Sequence, residues 1–196
     1  MTTFGIVRHG QTDWNLHKRI QGSTDIPLND DGRRQAIETG ASLRDGHWDA
    51  IVASPLSRAS ETALIIAHEL GLPEPELIPD LAERRHGEIE GLSDAERALR
   101  FPDDASVPGL ETRQEVLDRV LPVLERVAGR HPGGRVLIVS HGGVISALVR
   151  HATDGDLETG GRMIANGSVQ RFRWGAGGLH LIECRLDADE DTVATG

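Results

Sequence analysis

Apolar and polar positions along the chain fall into two alternating rhythms. Short apolar runs at Phe4 to Val7, in "DAIVAS" ending near Ser54, and in "GRVLIVS" read as strands. The last of these is unbroken from Val136 to Val139, the pattern of a strand covered on both faces. Between them, longer stretches repeat at helical spacing. Asp30 to Arg44 is predicted as a helix with Asn29 or Asp30 as its N-cap, and a second helix from about Ser57 to Leu70 is stopped by Gly71 and Pro73. A third runs from about Gly143 to His151. Glu111 to Ala128 reads as one helix that Pro122, lacking a backbone donor, should kink. Val169 to Trp174 and Leu179 to Leu186 alternate apolar and polar around "GAGG", the signature of a hairpin. Strands alternating with helices imply an α/β fold, a three-layer α/β/α sandwich around a mostly parallel central sheet.

The pattern reads as one domain over residues 1–186, as the length of 196 residues allows. Residues 187–196, acidic and without a base, are expected to form a disordered tail. The 21 basic residues against 31 acidic ones, net −10, argue against nucleic acid or an anionic membrane surface as partner. An anionic small substrate stays possible, because a pocket can be locally basic on an acidic protein. The single cysteine, Cys184, excludes an internal disulfide framework and any cysteine-rich zinc site, and its alternating surroundings make it a strand residue. No basic segment followed by an apolar run opens the chain, and no stretch approaches about 18 apolar residues, so a cytoplasmic protein is expected.

Three of the predicted strands end in residues suited to holding an anion. The first runs into Arg8-His9-Gly10, the second into Ser54-Pro55-Leu56-Ser57-Arg58, and the third into Ser140-His141-Gly142-Gly143. Ligands of an open parallel sheet sit in the crevice at the carboxyl ends of the strands, so the three segments should converge. The glycines let backbone approach a bound group, and the helices that follow strands two and three point their N-termini at the same place. Phosphate is the anion that matches best. Arg8 and Arg58 can grip its oxygens with paired, charge-assisted hydrogen bonds. A neutral imidazole can attack phosphorus, so one of His9 and His141 is a nucleophile and the other stabilises charge. Expelling an alkoxide also needs an acid, for which "LAERRHGEIEGL" offers Glu83, with Glu88 and Glu90 as competitors. The remaining histidines lack the spacing of a zinc site, although His17 and His86 are candidates for the pocket wall.

Taken together, these segments resemble the histidine phosphatase superfamily in its phosphoglycerate-mutase-like branch. "RHGQTDWN" is similar to the family's R-H-G-x-T-x-x-N, "DIPLNDDGRRQA" to its D-x-P-L…G…Q-A, and "SPLSRASETA" to its S-x-L-x-R-A-x-x-T-A. "LAERRHGEIEG" is similar to its L-x-E…G…E-G, "VSHGG" carries its second histidine, and "ANGSVQRF" looks like its late Asn-x-Ser segment at Asn166 and Ser168. The resemblance implies a phosphoglycerate-mutase-like fold, His9 as the nucleophile, Arg8, Arg58 and His141 as phosphoryl ligands, and Glu83 as acid and base. It also implies that Asn15, Gln21, Gly22 and Gly142 lie near the substrate, and that no metal or organic cofactor is needed.

The expected activity is therefore metal-independent hydrolysis of a phosphomonoester through a phosphohistidine, on a small phosphorylated metabolite. The alternative is a phosphoglycerate mutase. Family mutases usually carry a longer insertion than the short segment from Leu92 to Pro108 here, which favours hydrolysis. A non-catalytic phosphate-binding module is the third reading. Ile89, where many family phosphatases have tryptophan, and Leu110, which breaks a common Gly-Glu run, lie in segments expected to select the leaving group.

Overall fold

A computed structural model describes residues 1–102, 106–155 and 164–184. The expected acidic tail lies outside the described residues. Six strands form one sheet: β1 (Thr2–Arg8), β2 (Ala50–Ala53), β3 (Glu76–Leu77), β4 (Arg135–Ser140), β5 (Val169–Gly175) and β6 (Gly178–Glu183). Their spatial order is β3-β2-β4-β1-β5-β6. β1, β2, β3 and β4 pair in parallel, and only the β1–β5 and β5–β6 pairings are antiparallel. The helices are α1 (Asp13–Leu16), α2 (Asp30–Ser42), α3 (Ser57–Leu70), α4 (Asp94–Arg100), α5 (Arg113–Arg130) and α6 (Gly142–Ala152).

The three expected layers are present, and β4 shows why. Val136 and Ile138 face a core shared with Val120 and Leu124 of α5 and Ile145 and Leu148 of α6. Leu137 and Val139 face the opposite core, with Ala59, Ala63 and Ile66 of α3 and Trp48. An unbroken apolar run thus buries alternate residues in two cores, as period-two side chains must. Gly5 in β1 makes room for this, since a Cβ there would come within 2.6 Å of the Trp48 ring.

Several predicted boundaries shift. Asn29 is the N-cap of α2, its side chain accepting from the Gly32 amide, and the helix stops at Ser42, short of Arg44. α5 continues through Pro122. The proline lies on the exposed side, where water can take the carbonyl it leaves free, while Val116, Val120, Val123 and Leu124 stay buried. The hairpin turn falls at "GAGG" as expected, with Gly178 at φ 92°. β6 ends at Glu183, so Cys184 sits just past the strand, half-buried against the α5/α6 core. The short elements α1, α4 and β3 were not apparent from periodicity. Among the described residues no helix is long and apolar enough to cross a membrane.

Candidate active site

Parallel register delivers the two key histidines side by side. Arg8 of β1 pairs with Ser140 of β4, so the residues that follow, His9 and His141, leave neighbouring strand ends together. Their ring centroids are 5.1 Å apart, and both are buried. Arg58 enters from the first turn of α3, which follows the next strand over, β2.

His9 Nδ1 lies 2.7 Å from the carbonyl oxygen of Gly10. A carbonyl only accepts, so Nδ1 carries the proton and Nε2 keeps its lone pair. Burial, and then the charges of Arg8 and Arg58, hold this imidazole well below the ordinary histidine range, against the raising effect of the Gly10 contact. His9 is therefore neutral at neutral pH. His141 behaves likewise: burial, then its neighbours His9, Arg58 and Arg8, lower its pKa well below the usual value. Its Nε2 lies 2.8 Å from Ser54 Oγ, and its Nδ1 is buried without a partner.

Arg58, fully buried, spends Nη1 on the Thr24 carbonyl at 2.9 Å and Nη2 on the Gly22 carbonyl at 2.8 Å, while Nε is buried and has no partner. Arg8 donates from Nη1 to the Ile164 carbonyl. The guanidinium packs beside Gly142, where a Cβ would lie 3.4 Å from Arg8 Nε.

Three carboxylates competed for the acid role, and their surroundings separate them. Glu88 points out to Arg100, 3.1 Å away. Glu90 is occupied by amides and hydroxyls of residues 23, 24 and 86, which, against the effect of burial, lower its pKa. Glu83 accepts from the Arg84 amide at 2.8 Å and from the Gly143 amide, at the start of α6, at 3.2 Å. Of the three, only Glu83 lines the cavity that also contains His9.

That cavity, about 590 Å³, is bounded by Arg8, His9, Asn15, Gln21, Gly22, Glu83 and Gly142, whereas Arg58 and His141, both fully buried, are not part of its wall. It exceeds what one phosphoryl group fills and is in the usual range for a small organic ligand. His86 also lines it. His17 does not: it is exposed, with Nδ1 against the Asp13 carbonyl at 2.7 Å.

Supporting residues carry no obvious chemical label in the sequence. Thr62 Oγ1 accepts from the Gly10 amide at 3.0 Å and donates to the Arg58 carbonyl at 2.7 Å, tying the loop after His9 to α3. Asn166 Nδ2 donates to the His9 carbonyl at 2.9 Å and approaches Asn15 Oδ1 at 3.3 Å. Asp25 accepts from the Ser57 amide at 2.8 Å, capping α3 from a distant loop. Buried Glu111 pairs with Arg119 at 2.8 Å, and Arg119 holds the carbonyls of Ala82 and Glu83. Thr62 lies four residues after Arg58 on the same face of α3 and is the threonine of "SPLSRASETA", while Asp25 and Asn166 fall in the other segments that carry the family resemblance.

A sequence profile of the histidine phosphatase superfamily (branch 1) matches residues 4–186. The uncharacterized phosphatase PhoE of Bacillus subtilis (strain 168) is 44% identical over 174 residues, 89% of this chain and 89% of its own. A metal-independent phosphoserine phosphatase of Arabidopsis thaliana is 37% identical over 165 residues, 78% of this chain and 69% of its own. Among solved structures, a mycobacterial glucosyl-3-phosphoglycerate phosphatase superposes with a TM-score of 0.81 at 26% identity, covering 95% of this chain and 97% of that one.

Proposed function

Because the chain belongs to the histidine phosphatase superfamily, we propose that it is a metal-independent phosphomonoester hydrolase that works through a phosphohistidine at His9. The observation that carries this reading is the state of His9: buried and neutral, its Nδ1 proton committed to the Gly10 carbonyl, and its Nε2 lone pair free in a cavity shared with Glu83. The relatives named as phosphatases support the same class of reaction.

In the first step His9 Nε2 attacks phosphorus, the P–O bond to the leaving group breaks, and Glu83 gives its proton to the departing oxygen. Arg8, Arg58 and His141 hold the non-bridging oxygens throughout, a fixed set of donors that needs no rearrangement as charge develops. In the second step ionised Glu83 takes a proton from water, whose oxygen attacks phosphorus and breaks the P–Nε2 bond. Inorganic phosphate and neutral His9 result, with Glu83 protonated again. The substrate is a small phosphorylated metabolite, with Asn15, Gln21, Gly22 and Gly142 around its non-reacting part.

Phosphate release from p-nitrophenyl phosphate and 3-phosphoglycerate, with EDTA present, tests the reading. Release that resists EDTA and is abolished in His9→Ala is the expected result. Interconversion of phosphoglycerates stimulated by 2,3-bisphosphoglycerate, with little free phosphate, would make the protein a mutase instead, and phosphate binding without turnover would leave a binding module.

A further inference from the structure

Arg58 is a cation with no solvent to stabilise it, and both of its terminal nitrogens are bound to one loop, through the Gly22 and Thr24 carbonyls. A guanidinium is planar and rigid, so fixing Nη1 and Nη2 also fixes where its Nε–H points. Whatever holds residues 22–24 therefore aims Arg58.

Those residues belong to no helix or strand. They are held by the carboxylate of Glu90. Its Oε1 accepts from the Ser23 amide at 2.9 Å, the Ser23 hydroxyl at 3.1 Å and the His86 amide at 3.1 Å. Its Oε2 accepts from the Thr24 amide at 3.0 Å and the Thr24 hydroxyl at 2.7 Å. The contact is close enough that a Cβ at residue 22, which has φ 60°, would come within 2.1 Å of Glu90 Oε1, so glycine is needed there on both counts. Beside it, the Ile20 amide donates to the Leu92 carbonyl and the Gly91 amide to the Ile20 carbonyl, fixing the two segments in register.

The geometry points to Glu90 as the residue that positions Arg58: it fixes the loop whose carbonyls hold the guanidinium at the phosphoryl site. The inference rests on the reading of Arg58 as a phosphate ligand. Glu90 does not line the cavity and touches none of the reacting atoms. It is nevertheless one of the carboxylates, with Glu83 and Asp25, whose charge offsets the burial of Arg58. Neutralising or shortening Glu90 strips the loop of its anchor and lets the guanidinium drift, so phosphate affinity falls while the response to leaving-group basicity, which belongs to Glu83, stays the same.

The test is a double-mutant cycle of Glu90→Ala and Arg58→Ala in the full chain, read by titration with inorganic phosphate and by KM for p-nitrophenyl phosphate. With Arg58 present, Glu90→Ala should weaken phosphate binding and raise KM about tenfold or more, the scale of losing a charge-assisted contact. In the Arg58→Ala background the same change should cost less than about twofold, because coupled residues do not add. An equal loss in both backgrounds, or no loss in either, overturns the inference, since a purely structural role would act regardless of Arg58. Thr24→Val, which removes one hydroxyl donor at nearly constant volume, guards against a misfolded Glu90 variant: it should weaken phosphate binding in the same Arg58-dependent way, and unchanged affinity would count against the inference. A wild type that binds phosphate but releases none from substrates would sink the hydrolase reading and leave the Arg58–Glu90 coupling standing.

Discussion

Ser54 Oγ and His141 Nε2 lie 2.8 Å apart, and the same hydroxyl oxygen accepts the Leu56 amide at 3.3 Å. Among the described residues His141 Nε2 is the only acceptor in contact with this buried hydroxyl, so the hydroxyl proton goes to Nε2, which leaves the imidazole proton on Nδ1. Buried Nδ1 has no partner and, in the proposed mechanism, is the atom left to donate to a phosphoryl oxygen. Ser54→Ala removes this constraint on the tautomer. Turnover should fall about tenfold, the worth of one well-placed hydrogen bond, and the melting temperature should drop by a few degrees, because buried Nε2 loses its partner. A kinetic assay beside a thermal melt checks this, and unaltered turnover would mean that His141 selects its tautomer without Ser54.

Glu83→Gln keeps the acceptor for the Gly143 amide and removes the transferable proton. Hydrolysis of alkyl phosphates should slow about a hundredfold or more, and that of p-nitrophenyl phosphate, whose leaving group needs little protonation, much less. Rates across a series of leaving groups decide it. Equal losses for good and poor leaving groups would remove Glu83 from the acid role.

Acidification should destabilise the protein before any carboxylate is titrated. Burial depresses the pKa of both His9 and His141, so as pH falls the unfolded chain takes up protons near the ordinary value of about 6.5 while the folded one does not. More protons bound in the unfolded state means stability that is complete above about pH 6.5 and lost as pH drops through it. A second loss belongs to Glu90 and Glu111, whose depressed pKa values make their contribution present above about pH 4.3 and lost below. Thermal melts across this range should show the two steps, with the upper one reduced in His141→Gln. A midpoint that stays level between about pH 7 and 5.5 would contradict it.

Breaking the Glu111–Arg119 pair tests how far the acid depends on its scaffold. Glu111→Ala leaves a largely buried guanidinium unpaired and should cost about 3 kcal/mol of stability. Arg119 also holds the Glu83 carbonyl, so turnover of poor leaving groups should fall in the protein that remains folded. Denaturant melts and leaving-group kinetics on the same sample separate the two effects.

Much of the fold was legible because its signals are local. The run Val136 to Val139 had to be buried on both faces, and it is. Gly71 ends α3 in a left-handed conformation at φ 67°, as its place after Leu70 foretold. Elements too short to show a period, such as α1 and β3, left no such trace. α5 is one helix through Pro122, as its periodicity indicated, because the apolar face opposite the proline packs against the sheet and tertiary burial outweighs one lost hydrogen bond.

For the site, the sequence by itself determined which chemistry is present: two histidines and two arginines after strand ends, beside glycines that let phosphate come close. Residue type and spacing left three carboxylates open for the acid role, and the resemblance to the family singled out Glu83. The tertiary structure separates the three by their surroundings. Glu88 turns outward to Arg100, Glu90 is filled by donors from a loop far away in sequence, and Glu83 alone of the three reaches the cavity. Protonation state, tautomer and the aim of Arg58 likewise depend on burial and on carbonyls and hydroxyls supplied by distant segments. These are interactions through space, which no local pattern of residues encodes.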